Sequence, residues 1–200
     1  MRVLVGMPTT GSVPIQVVAS IVKMVKANPN IDIVFDENSL VYDSRNNILE
    51  EAIVSGYDYL LFIDSDIIFP ADAVLRLLVD KKDIVTGVYY ERKGDKHRPV
   101  LFKNVQIRDG NNPPTAEFVE DVEPFMSVDA CGMGFCLIKL DAIQPVIKEY
   151  LSPFEPYQGI GEDLSFCYKC KQMGIDIWAD SRFDLKHIGI QAFGKEDYKK

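Results

Sequence analysis

Tyr57-Asp58-Tyr59-Leu60-Leu61-Phe62-Ile63-Asp64-Ser65-Asp66 is the stretch on which the reading of the whole chain turns. An apolar run stops at two carboxylates with one residue between them. The run is too uniformly apolar for a sheet edge, so it predicts a buried strand with neighbours on both sides. In an extended strand residues i and i+2 project to the same side, which aims Asp64 and Asp66 at one point. Like charges converging there are unfavourable unless a cation lies between them. Open α/β sheets bind ligands beyond the carboxyl ends of their strands. The stretch therefore predicts a metal site at a strand terminus. Such a pair is common by chance, and its neighbours in the chain must decide its meaning.

Upstream, residues 2–7 read as a buried first strand stopped by Pro8-Thr9-Thr10-Gly11. Residues 15–26 place Ile15, Val18, Ala19, Val22 and Val25 at helical spacing, and Asn28-Pro29-Asn30 ends the helix. Residues 31–35 form a second short strand. Ser44 is the expected N-cap of a helix over 45–55, with Gly56 as its stop. Downstream, Pro70 opens a helix over 72–80 that turns Leu75, Leu78 and Val79 inward, and 83–90 is another strand. Strands and helices alternate to this point, predicting an α/β fold whose mostly parallel central sheet carries helices on both faces. Beyond Arg92 the pattern changes: 99–107, 116–122 and 126–140 read as short strands and loops of a small antiparallel addition that builds a substrate wall. A helix over 162–173, a strand over 176–179 and a tail from Lys195 complete a single domain. It divides into a first half 1–92, a second half 93–194 and a tail 195–200.

The 200 residues suit one domain with a sizeable core, and 47% hydrophobic and 26% charged residues are ordinary for a globular protein. A formal charge of −8 argues against a nucleic-acid-binding surface, which needs a basic stripe. The nearest approach is Arg92-Lys93-Gly94-Asp95-Lys96-His97-Arg98, either a solvated loop or a segment near phosphates. Met1-Arg2 leads straight into Val3-Leu4-Val5-Gly6, no signal peptide is evident and no apolar run approaches a transmembrane segment, so the expected location is cytoplasmic. Cys131, Cys136, Cys167 and Cys170 have spacings that raise a zinc site. The first pair flanks a glycine-rich turn and the second falls in a helix, so structural or free thiols are expected instead.

Four features follow in order: Asp64-Ser65-Asp66 after a buried strand; Cys131-Gly132-Met133-Gly134-Phe135, where backbone must approach something closely; Glu162-Asp163 at a helix start; and Lys186-His187-Ile188-Gly189 near the end. Together with Ser44-Arg45-Asn46-Asn47, Phe69-Pro70 and Gly87-Val88-Tyr89-Tyr90, this series resembles the glycosyltransferases of the GT-A fold, family 2 in particular, from Val3 to Gly189. The resemblance implies a three-layer α/β sandwich and a hexosyltransferase-like enzyme. It also implies a UDP- or GDP-linked sugar donor, a hydroxyl acceptor, and Mn²⁺ or Mg²⁺. It places Asp64 between ribose and metal, Asp66 as the more direct ligand, and His187 completing the metal shell. Asp163 becomes the base that takes the acceptor proton, with inversion at the anomeric carbon, and Glu162 orients loop or acceptor. Pro8 and Thr9 fall where the nucleoside is held, Asp36 near its base or ribose, Ser65 beside the donor, and the Gly132–Gly134 turn along the donor sugar.

Blander readings stand beside these. Glu162-Asp163 also suits acids that complement a helix dipole. His187 also suits a hydrogen-bonded loop histidine, and Gly132–Gly134 a turn without ligand. Arg45 reads equally as a diphosphate or ribose contact or as a surface salt bridge. Trp178 and most tyrosines read as core or sheet residues, with Tyr157 the exception. The chain ends soon after His187, without the further acceptor-binding or membrane segment of many relatives, which leaves the acceptor class open and argues against a processive membrane synthase. Three rival functions remain. One is a haloacid-dehalogenase-type phosphohydrolase with Asp64 as nucleophile. Another is a sugar-nucleotide pyrophosphorylase, for which Pro8-Thr9-Thr10-Gly11 lacks the expected Arg-Lys loop. The third is a nucleotide-sugar-binding module without turnover.

Overall fold

The computed structural model of the chain describes residues 1–28, 30–37, 40–92 and 97–189. The expected tail from Lys195 and the middle of the basic run, residues 93–96, lie outside these. Seven strands form the central sheet in the order β2-β1-β3-β10-β5-β11-β8. These are β1 (Val3–Pro8), β2 (Ile31–Asp36), β3 (Tyr59–Ile63), β5 (Ile84–Gly87), β8 (Phe125–Val128), β10 (Phe135–Lys139) and β11 (Ile177–Asp180). Their pairings make β2, β1, β3, β5 and β11 run one way, with β10 and β8 reversed. The sheet is thus mostly parallel, as expected, but the second half of the chain threads into it: β10 lies between β3 and β5.

Among the described residues five helices cover the sheet: α1 (Ile15–Ala27), α2 (Val41–Val54), α3 (Ala73–Val79), α4 (Gln144–Tyr150) and α5 (Glu162–Gln172). Strand alternation divides the core between two faces. Val3, Val5, Leu61 and Ile63 pack with α1 and α3, while Leu4, Leu60 and Phe62 pack with α2, α4 and α5. Leu60 to Ile63 are fully buried, each stabilising the fold by about 1.5–3 kcal/mol. The expected small antiparallel addition is the sheet β7-β6-β9, built from β6 (Leu101–Gln106), β7 (Thr115–Phe118) and β9 (Ala130–Cys131). A last pair joins β4 (Ile67–Ile68) to β12 (Lys186–His187).

Several expectations are corrected. Helix α2 begins at Val41, and Ser44 lies inside it, its hydroxyl donating to Asp36 Oδ1 at 2.5 Å instead of capping. Helix α3 buries Ala73, Val74 and Leu77 and exposes Leu75 and Val79, so its inward face is not the one its apolar spacing predicted. Helix α4 had no counterpart in the sequence reading, although Pro145 in its first turn and Ile143, Val146, Ile147 and Tyr150 at helical spacing carry the signal. Trp178 is a sheet residue stacked on Phe125 at 5.0 Å, and the Tyr157 ring packs 6.1 Å from both Tyr150 and Tyr168. All four cysteines are free and buried. Gly6 sets the depth of α2, since a Cβ there would meet Ile48 Cγ2 at 2.3 Å. Close approach of α2 to β1 is what carries Arg45 into the interior.

Candidate active site

Strand β3 ends at Ile63, and the Ile67 N–H donates to the Asp64 carbonyl at 3.1 Å, so 64–67 form a turn. Strand alternation therefore does not apply to the two aspartates, which line the same cleft but take different partners. Asp64 Oδ1 accepts from Arg45 Nη2 at 3.1 Å, beneath α2. Asp66 faces the other wall, with Oδ2 accepting from Arg92 Nη1 at 2.7 Å and Oδ1 lying 3.3 Å from His187 Nε2.

Arg45 organises the first wall. It is 2% exposed, so the surface salt bridge is ruled out. Besides Asp64, Nη1 donates to Glu162 Oε1 at 3.1 Å and to Asp163 Oδ1, while Nε is buried without a partner. Burial alone would lower its pKa, but Asp163, Asp64 and Glu162 together raise it, and the guanidinium stays charged. Asp163 feels the same burial in the opposite sense. Desolvation, helped by Glu162 and Asp64, pushes its pKa up to about 6 against the downward pull of Arg45 and the Met133 backbone. A quarter of its side chain (26%) still opens to the cleft. Glu162 and Asp163 begin α5, whose N-cap Gly161 makes no side-chain bond, so both acids lie at the positive end of the helix dipole and also line the cleft described below.

The second wall is built by the β4–β12 pair, which brings His187 beside Asp66 from a distant part of the chain. The Tyr90 carbonyl lies 2.8 Å from His187 Nδ1, which must therefore carry the proton. Nε2 then faces Asp66, an arrangement balanced by a second proton or by a cation. Burial would lower the His187 pKa, yet Asp66 and the Tyr90 carbonyl raise it. Burial would likewise raise the Asp66 pKa, but His187 and Arg92 hold it below the usual range. A carboxylate beside an imidazole whose other nitrogen is fixed by a carbonyl is a donor set that fits a divalent cation. Among the described residues no group of three or more His, Cys, Asp or Glu is placed to hold a metal. Of the expected ligands Asp64, Asp66 and His187, Asp66 and His187 stand side by side, while Asp64 pairs with Arg45.

The glycine turn serves Tyr89. A Cβ at Gly132 would lie 2.1 Å from the Tyr89 hydroxyl, and one at Gly134 would lie 2.7 Å from its ring and 3.0 Å from Asp64 Oδ2. The Gly134 N–H donates to that hydroxyl at 3.0 Å, and the Gly134 carbonyl accepts from the Asp64 N–H at 3.0 Å. Both glycines are buried, and the close approach at this turn includes one to Tyr89. The Tyr89 ring also meets His187 edge-on at 5.4 Å, which makes this buried side chain the support of both walls. The sequence reading had Tyr89 only as part of a strand.

Between the walls lies a cleft of about 370 Å³ at the carboxyl edge of β1 and β3, lined by Pro8, Thr9, Thr10, Val41, Ser44, Arg45, Asp64, Ser65, Asp66, Arg92, Glu162 and Asp163. Eight expected residues are among these. Asp36 stands outside, its carboxylate held by Ser44 and by Asn47 Nδ2 at 3.3 Å and its carbonyl bonded to the Thr9 N–H at 3.0 Å. Gly132, Gly134 and His187 lie behind the lining. Thr10, Val41, Ser44 and Arg92 were missed, Ser44 having been read as a helix N-cap and Arg92 as the first residue of a basic run. A hollow of about 590 Å³ between α2 and α4 contains none of the expected residues. Asp64, the nucleophile of the phosphohydrolase alternative, is held by Arg45 through Oδ1.

No protein-family model matches the chain, and no curated protein matches it. Solved structures do. A197 from STIV is similar over 95% of this chain and 87% of its own, at 22% identity and a TM-score of 0.66. GalNAc-T7, solved with UDP, GalNAc and Mn²⁺, is similar over 94% of this chain and 44% of its own, at 11% identity and a TM-score of 0.62. The fold is GT-A. S. aureus TarS 1–349 in complex with UDP-GlcNAc shares this GT-A architecture over 100% of this chain and 62% of its own, at 13% identity and a TM-score of 0.57. The chain thus spans less than two thirds of the GalNAc-T7 and TarS structures.

Proposed function

We propose that this protein is a family 2-like glycosyltransferase that moves a sugar from a UDP- or GDP-linked donor to an acceptor hydroxyl, with inversion. The observation that carries the reading is the convergence of Asp64 and Asp163 on one buried guanidinium, at the strand-end cleft of a GT-A fold. Asp163 takes the acceptor proton as the oxygen attacks the anomeric carbon. A pKa near 6 makes it a stronger base than an ordinary aspartate while leaving it ionised at pH 7.5. Glu162 shares Arg45 with it and keeps the pair in register.

Asp66 and His187 would hold Mn²⁺ or Mg²⁺, a binding mode in which the diphosphate and water complete the shell. Such an ion supplies charge neutralisation at the leaving diphosphate. Pro8 and Thr9 would meet the nucleoside, with Asp36 acting behind them through the Thr9 N–H and the Ser44 hydroxyl, Ser65 would meet the diphosphate, and Arg45 the donor through the face it turns to the cleft. The halves 1–92 and 93–194 would then serve donor and acceptor respectively. Four buried free thiols support a reducing, cytoplasmic setting, and no described helix is long and apolar enough to cross a membrane.

A panel of nucleoside diphosphates with and without Mn²⁺ tests binding. Ligand at a hundred times Kd stabilises by about 2.7 kcal/mol, or roughly 5–11 °C in Tm for a chain of this size. No shift with any diphosphate in any metal would refute the reading. Turnover is separate: Asp163→Asn is expected to bind donor normally and lose transfer by about 10²–10⁴-fold. A wild type that binds but transfers nothing to any acceptor is the binding module instead.

A further inference from the structure

Arg92 stands apart from the other cation of the cleft. Arg45 is buried and shared by Asp64, Glu162 and Asp163, whereas the Arg92 side chain is 44% exposed. Among the described residues it is held through Nη1 alone, donating to Asp66 Oδ2 at 2.7 Å and to the Ile188 carbonyl at 3.2 Å. Nε and Nη2 make no bond among those residues. A partly exposed, one-point pair of this kind is weak and readily exchanged, and it leaves most of a planar, phosphate-matching fork unused.

Its position gives that exchange a cause. The cleft is lined by four carboxylates, Asp64, Asp66, Glu162 and Asp163, against two guanidinium groups, and so repels a polyanion as it stands. The carboxylate that a divalent cation would take with His187 is the one Arg92 now occupies. Metal and guanidinium compete for Asp66, and displacement from Asp66 leaves a free cation at the cleft mouth. Glu91 N–H donates to the Arg98 carbonyl at 2.9 Å, so Arg92 follows a pinned piece of backbone and can turn through its own side-chain torsions.

We propose that Arg92 changes partner when ligand binds, leaving Asp66 to the cation and pairing with the diphosphate. This rests on reading the cleft as a nucleoside-diphosphate site. Calorimetry on the wild type, Arg92→Ala and Arg92→Lys with two probes, Mn²⁺ alone and UDP at saturating Mn²⁺, tests it. For Arg92→Ala, removal of the competitor is expected to tighten Mn²⁺ about two- to fivefold. Loss of the phosphate contact is expected to weaken UDP about tenfold. Arg92→Lys, which keeps the charge, should recover part of the UDP loss. Opposite signs for the two probes are the mark of partner exchange, because general damage to the cleft weakens both. Affinities that are unchanged, or that move in the same direction, overturn this proposal alone. A wild type that binds neither probe overturns the nucleotide reading as well.

Discussion

Arg45→Met removes the one buried guanidinium and leaves Asp64, Glu162 and Asp163 facing each other without a cation. The methionine fills much of the arginine stem, so cavity formation contributes little and the electrostatic loss dominates. Removing one partner of a buried ion network costs about 3–5 kcal/mol. For a chain of 150–250 residues that is a fall of roughly 6–20 °C in Tm. The pH dependence is the sharper test. In the wild type Asp163 titrates near 6, so between about pH 4 and 6 the folded state holds a proton that the unfolded chain has released. Stability from this group is therefore full at low pH and lost as pH rises through 6. Without Arg45 the downward pull on Asp163 disappears and this window moves higher. The deficit of Arg45→Met relative to wild type should accordingly grow between pH 5 and pH 8, measured by urea unfolding at each pH. Arg45→Lys should recover part of it, as a point charge without the fork. A deficit under about 1 kcal/mol, or one equal at both pH values, refutes the view that this guanidinium holds the acids together.

Catalysis should show the same group. The kcat/KM of the wild type is expected to rise with pH through an apparent pKa of about 6, and a flat profile from pH 5 to 8 removes Asp163 as base. Gly134→Ala drives a Cβ into the Tyr89 ring at 2.7 Å and toward Asp64 Oδ2 at 3.0 Å. It should destabilise by about 1–3 kcal/mol in urea unfolding, and a neutral substitution would mean Tyr89 has room to move.

Local pattern was enough for much of this protein. The apolar run before Asp64 made β3 a buried strand, the strand–helix alternation made the sheet mostly parallel, and Gly56 marked the end of α2, where it adopts φ +69°. Carboxylates at Asp64, Asp66, Glu162 and Asp163 were legible as chemistry because acids at strand ends and helix starts are recognisable without coordinates. Contacts between distant segments were not legible. Residue 45 meets residue 163 only because Gly6 lets α2 sink against β1, and His187 meets Asp66 only because β12 pairs with β4. The two aspartates take different partners because a turn begins at Asp64, a backbone choice that an alternating pattern does not encode. Sequence periodicity determined most of the strands and helices, since those depend on neighbours a few positions away, but not the buried faces of α1 and α3, where Val17, Ile21 and Met24, and Ala73, Val74 and Leu77, turn inward in place of Ile15, Val22 and Val25, and of Leu75 and Val79. Which carboxylate shares which cation, and that Arg92 rather than a third ligand stands on Asp66, was decided by tertiary packing, because electrostatic pairing depends on distances that only the folded chain sets.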